Sequence, residues 1–124
     1  MISPQGIVSV CAGDPLLLEC TVAGNLLEWR INIMPDDDTR VDSYNRLVDT
    51  SYQTPEKLII NSTVFSFTIP TQHQISPLMS NMSISHVTRS LNRTEVMCVD
   101  RGEQTSSSAF IKVINSDEHV LQGR

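Results

Sequence analysis

The 124-residue chain has no run of lysine or arginine, and its formal charge at pH 7 is −5. Both facts speak against a nucleic-acid binder, which usually carries a basic stripe. Aromatic side chains make up only 5% of the sequence, so aliphatic and β-branched residues have to fill most of the core. No apolar stretch reaches the roughly 20 residues that a membrane-crossing helix needs. No basic start followed by an apolar segment is present, and so no secretory signal. Met1 runs directly into Ile2-Ser3-Pro4-Gln5-Gly6. We read Met1 as an added start on a trimmed N-terminus, so the missing signal does not weigh heavily against secretion. Catalytic patterns are missing too. There is no nucleophile-base arrangement, no Gly-rich phosphate loop and no paired-carboxylate motif. His73, His86 and His119 are far apart and lack a metal-ligand spacing. Asp36-Asp37-Asp38 lacks the interleaved spacing and turn glycine of a calcium loop and reads as a solvated loop. The expectation is a domain with no catalytic motif, no metal and no cofactor.

What is present is alternation. Leu16, Leu18, Cys20 and Val22 share one face of a strand, and Leu17, Glu19 and Thr21 share the other. Leu27, Trp29 and Ile31 alternate with Glu28, Arg30 and Asn32 in a second strand. Residues 7–10 form a short apolar stretch, stopped by Ala12-Gly13-Asp14-Pro15. Residues 39–56 are mixed and read as one or two edge strands. Residues 57–70, rich in Ile, Val, Phe and Thr, read as one long strand or two short ones. Residues 78–87 alternate loosely, with Met82 and Ile84 inward. Val96 and Cys98 share a face over 94–100, as do Ala109, Ile111 and Val113 over 108–115. Eight or nine short strands separated by turn signals predict an all-β sandwich. Residues 1–115 form one domain, and 116–124 are a polar tail or linker.

Three cysteines leave one over if two pair. Eight residues lie between Cys20 and Trp29, and 68 between Trp29 and Cys98. Asn61, Asn81 and Asn92 each open an Asn-x-Ser/Thr triplet, the acceptor sequence for N-glycosylation. Three such triplets in a short chain with this cysteine pattern point to an extracellular glycoprotein.

The order Cys20, Trp29, Cys98 resembles the immunoglobulin superfamily, whose strands B, C and F carry these residues. The phrases Cys11-Ala12-Gly13-Asp14, Leu27-Glu28-Trp29 and Leu91-Asn92-Arg93-Thr94-Glu95-Val96-Met97-Cys98 are similar to Ig-like domains of invertebrate cell-surface receptors and adhesion proteins. The resemblance implies an immunoglobulin-like β-sandwich of the variable type, with two antiparallel sheets in a Greek key. The long middle leaves room for the two extra edge strands of that type. It also implies a Cys20–Cys98 disulfide, with Trp29, Leu18 and Val96 in the core. Asn92 and Val96 stand where antibody-type domains carry Asp and Tyr. The tyrosine corner is therefore absent, and so is the Phe-Gly-x-Gly bulge of antigen receptors in the last strand. Cys11 is left as a free thiol, an inter-chain bridge, or the partner of a cysteine elsewhere.

The function implied is protein recognition by the ectodomain of a membrane-anchored cell-surface protein: adhesion or self/non-self recognition, including contact between copies. Further Ig domains would be its neighbours. Two alternatives stand beside it. One is a ligand-binding or spacer domain of a receptor tyrosine kinase-type ectodomain. The other is a soluble carbohydrate- or microbe-binding effector, for which Tyr44 and Tyr52 are the aromatic candidates. Loop stretches 23–26, 34–44 and 101–107 are the expected recognition tips. Non-reducing peptide mapping should recover a Cys20–Cys98 cross-link; a Cys11–Cys20 cross-link in its place would overturn the sandwich reading.

Overall fold

The computed structural model describes residues 1–24, 26–34, 42–49, 56–60, 62–68 and 78–114, without the side chains of Asp49 and Glu56. The strands are β1 (Ile2–Ser3), β2 (Gly6–Cys11), β3 (Leu16–Val22), β4 (Leu26–Ile33), β5 (Asp42–Asp49), β6 (Glu56–Ile60), β7 (Thr63–Thr68), β8 (Leu78–Ile84), β9 (Glu95–Asp100) and β10 (Thr105–Ile114). One turn of 3-10 helix, Arg89–Leu91, precedes β9. The back sheet has the order β1-β3-β8-β7-β6 and the front sheet β2-β10-β9-β4-β5. This is an immunoglobulin-like β-sandwich.

Period-two alternation decides which side chains meet between the sheets. Leu16, Leu18, Cys20 and Val22 of β3 face Leu27, Trp29, Ile31 and Ile33 of β4 across one continuous core, joined by Phe65, Phe67, Met82, Ile84, Val96 and Ile111. At its centre lies a square of four residues. Trp29 and Cys98 are direct neighbours across β4 and β9. Cys20 and Ser80 are direct neighbours across β3 and β8. The Cys20–Cys98 disulfide links the two pairs covalently, with a Cα–Cα distance of 6.4 Å. The Trp29 indole N–H links them again by donating to Ser80 Oγ at 3.0 Å. The Ser80 hydroxyl donates in turn to the Thr68 carbonyl at 2.9 Å. The buried indole therefore has no unpaired donor. Its ring meets that of Phe67 at a centroid distance of 6.2 Å and a tilt of 45°.

Three features depart from the expected layout or narrow it. The first strand splits, and the described residues form ten strands. β1 pairs with β3 on the back sheet, and the chain then crosses at Pro4-Gln5 so that β2 lies beside β10 on the front. That pairing is parallel, since β2 and β10 run the same way; the sheets are not antiparallel throughout. Gly6, with φ +84°, supplies the backbone turn at this crossing. Second, among the described residues, 39–56 contribute one edge strand, β5, to the front sheet, while 57–70 form two short strands, β6 and β7. β5 pairs with β4 on the front sheet, whereas β6 pairs with β7 at the edge of the back sheet. β6 and β7 form a hairpin with Ile60 opposite Thr63, Ser62 taking φ +65° and Ile60 burying into the core. Third, β8 stops at Ile84, and Val87 is buried from a loop rather than from a strand. The Tyr position of antibody domains holds Val96, fully buried. At the Asp position, Asn92 Oδ1 accepts the Val113 N–H at 2.9 Å and ties the bottom of β10 to the turn before β9. The tail, 116–124, lies outside the described residues.

Replacing Trp29 with Ala should cost about 3–5 kcal/mol, the range for removing a large buried aromatic. Leu17→Ala, on the outer face of β3 and half exposed, should change stability by no more than about 0.5 kcal/mol. Urea unfolding of the two variants checks the contrast.

Candidate functional site

With Leu27, Trp29, Ile31 and Ile33 turned inward, β4 presents Glu28, Arg30 and Asn32 to the outside, and Met34 follows it at the bottom of the same face. Register aligns these with outward residues of the neighbours. Leu47, Glu28 and Val99 share one row, Asn45, Arg30 and Met97 the next, and Ser43, Asn32, Glu95, Phe110 and Ile7 the next. The front face thus carries exposed apolar side chains, Ile7 at 74%, Leu47 at 54% and Phe110 at 44%, over a polar network fixed by the strands.

That network has two parts. In one, Ser43 Oγ donates to Asn32 Oδ1 at 2.8 Å, Asn32 Nδ2 donates to Glu95 Oε1 at 3.2 Å, and Ser108 Oγ donates to Glu95 Oε2 at 2.8 Å. A ladder therefore crosses β5, β4, β9 and β10. In the other, Glu28 is only 3% exposed although it sits on an outer face. Its Oε2 accepts Arg30 Nε and Asn45 Nδ2, each at 3.0 Å, and its Oε1 accepts Arg30 Nη2 at 3.3 Å and Arg101 Nη1 at 2.9 Å. Burial alone would raise the Glu28 pKa. Hydrogen bonds from Arg30 and Asn45 and the charges of Arg30 and Arg101 more than offset it, and the carboxyl is held below its ordinary value. Arg30 is raised reciprocally by its bond to and the charge of Glu28.

Among the described residues, concavities open on this face at its bottom and towards its top. The larger, about 1000 Å³, lies at the bottom between Ile7, Met34, Phe110, Arg93 and Lys112. The smaller, about 320 Å³, lies between Arg30 and Arg101 over Met97 and Val99.

At the top, Asp100 is buried and accepts backbone N–H groups from both loops it separates. Ala23 and Gly24 donate to Oδ2 at 3.1 and 3.3 Å, and Gly102 and Glu103 to Oδ1 at 3.0 and 3.1 Å. Burial would raise its pKa, but the backbone donors prevail and lower it. A methyl at Gly24 would sit 2.7 Å from Asp100 Oδ1, so the close approach of the loops requires glycine there. Ala23-Gly24 and Gly102-Glu103 are thereby tied to one side chain and to each other.

The structure places the other sequence-predicted residues apart. Cys11, at the end of the edge strand β2, is a half-buried free thiol. Asn81 stands on the outer face of β8, the middle strand of the back sheet. Asn92 lies at the bottom rim of the larger concavity. Leu18, Trp29 and Val96 are core residues without exposure. Tyr44 packs its side chain against the core, so it is not a free stacking surface. Asn61, Tyr52, His73, His119 and 36–38 lie outside the described residues, as does most of 34–44. Among the described residues no group of three His, Cys, Asp or Glu side chains gathers as metal ligands. No protein-family model matches the chain, and no curated protein matches it.

Because the native pKa of Asp100 lies below its ordinary value of 3.8, its stabilising effect is present above that value and is lost as pH falls through the lowered native pKa. Asp100→Asn should therefore unfold at lower urea than the wild type at neutral pH. The gap should narrow as pH falls below 3.8. A constant gap would assign the loss to shape rather than charge.

Proposed function

We propose that the domain is a member of the immunoglobulin superfamily that recognises protein through the outer face of its front sheet, in the ectodomain of a cell-surface protein. The observation that carries this reading is the distribution of apolar groups and glycan acceptors. Ile7, Leu47 and Phe110 are exposed on one sheet face, with Met34, Met97 and Val99 beside them. None of that sheet's described strands holds an acceptor asparagine. The back sheet also exposes Leu17, Ile59 and Val64, but Asn81 stands on its middle strand, and a glycan there would cover that face. Asn92 stands at the bottom rim of the front face, in the turn before β9, so it is the middle of that face that is left clear, which a spacer would have no reason to do. Scattered apolar residues are ordinary on a surface; a grouped set over a rigid polar network favours a contact.

A stable contact needs roughly 1,200 Å² in total, and a sheet face is a broad surface of the kind such a contact uses. The partner is either another protein or a second copy. The disulfide is compatible with an extracellular domain, as is the finding that no described helix is long and apolar enough to cross a membrane.

The test is bead clustering with the domain displayed, alone and against displayed ectodomains, with sedimentation at rising concentration for self-contact. Phe110→Glu should abolish clustering, and Leu17→Glu on the back sheet should leave it unchanged. Equal loss from both variants, or no clustering in either format, would sink the front-face reading. A strictly monomeric profile at high micromolar concentration would remove the self-contact form.

A further inference from the structure

We propose that the cleft between Arg30 and Arg101 is a carboxylate-binding site that takes an aspartate or glutamate side chain of the protein docking on the front sheet. The inference rests on the front-face reading above and specifies the chemistry of that partner.

The cleft has an apolar floor, Met97 and Val99, and polar walls, Arg30, Arg101, Gln104 and Ser106. Both guanidinium groups, the amide and the hydroxyl can donate hydrogen bonds, and among the described residues no acidic side chain lines the space. Glu28 lies behind the wall and is spent. Each of its oxygens already accepts two donors, and it neutralises one of two positive charges. One positive charge is left over. Arg30 Nη1 and the Nε and Nη2 of Arg101 have no hydrogen-bond partner among the described residues, and the two side chains remain 41% and 48% exposed.

Buried Glu28 also fixes the arginines before any partner arrives. A free arginine loses considerable rotamer freedom when it is fixed by a ligand. Here the intramolecular clamp has already restricted both side chains, and both line the same cleft. A single residual charge matches a monoanion. The apolar floor suits the methylene stem of an acidic side chain, which a bare inorganic anion lacks. The surroundings favour an acidic partner as well. The cations Arg30, Arg93, Arg101 and Lys112 outnumber Glu28 and Glu95 among the described side chains of this face, on a chain whose net charge is −5.

The experiment is an NMR titration of the whole isotope-labelled chain with the blocked peptide acetyl-Ala-Glu-Ala-amide. Its Gln counterpart and inorganic phosphate serve as comparisons. The Glu peptide should shift the Arg30 and Arg101 side-chain N–H signals and the Met97 methyl, and the Gln peptide should bind roughly tenfold more weakly or not at all. Arg101→Gln should remove the response. So should Ser106→Glu, which leaves the Glu28 clamp whole and fills the cleft with a tethered carboxylate, so that loss does not depend on a loosened fold. Equal shifts from the Gln peptide, tighter binding of phosphate than of the Glu peptide, or shifts that survive both variants would each overturn the site. Bead clustering that needs Phe110 but ignores Ser106→Glu would reject the cleft and leave the front-face reading standing.

Discussion

The fold depends on the link between two strand pairs at the centre of the sandwich. Trp29 and Cys98 sit side by side on the front sheet, and Cys20 and Ser80 side by side on the back. A covalent bond and a hydrogen bond then join the pairs at adjacent points. The bridge spans 78 residues of sequence, and closing so long a loop removes about 4 kcal/mol of unfolded-chain entropy in the simplest treatment. The indole hydrogen bond has a different effect. It satisfies a polar atom that burial would otherwise leave unpaired, and it works only while the sheets stand in this register. The covalent link restricts the chain globally; the hydrogen bond selects one alignment locally.

That alignment also determines the outer face. Strand side chains alternate with period two, so a slip by one residue would exchange inside and outside along the whole of β4. Fixing Trp29 inward therefore puts Glu28 and Arg30 outward. Pairing of β4 with β9 then brings in Met97 and Val99 as neighbours, and Arg101 follows directly at the end of β9. The Glu28 clamp is thus a consequence of core packing read on the opposite side of the sheet. A carboxylate so nearly covered would destabilise the fold if left unpaired. Three donor groups from two strands and a turn prevent that. The same donors hold the face rigid. Asp100 does the equivalent work at the loop end with backbone groups alone.

Which parts were legible in the sequence follows from the range of the interactions. Alternation is local, so the inward sets of β3, β4, β9 and β10 could be read from residue order. Sheet membership is not local. β6 and the split of the first strand were decided by a hairpin with β7 and by a crossing near Pro4, neither of which announces the sheet it will join. The candidate site was the least legible part. Glu28 and Arg30 form an ordinary polar alternation in the sequence, and Arg101 lies 73 positions from Glu28. Only register brings them together. Asp100 likewise reads as an unremarked acid after Cys98, because its partners are backbone N–H groups, which carry no sequence signature. Two of the expected recognition tips are tied to one another through it, at Ala23-Gly24 and at Gly102-Glu103, and this shifts the weight of the functional proposal from loop tips to the sheet.

A sheet face makes a different kind of recognition surface from a set of loops. Loops adapt, and ordering them on contact costs conformational entropy. The front face has already ordered its polar groups against one another: Ser43, Asn32, Glu95 and Ser108 in the ladder, and Asn45, Arg30, Arg101 and Glu28 in the clamp. Groups satisfied in this way offer a partner little new hydrogen bonding. Affinity then has to come from the apolar side chains that stand above the network, Ile7, Leu47 and Phe110, and discrimination from the few donors that the network leaves over. On this face those donors belong chiefly to cations. A partner with matching carboxylates would gain at each of them, whereas one that presents its own cations would have to bury like charges against a surface too rigid to move them aside.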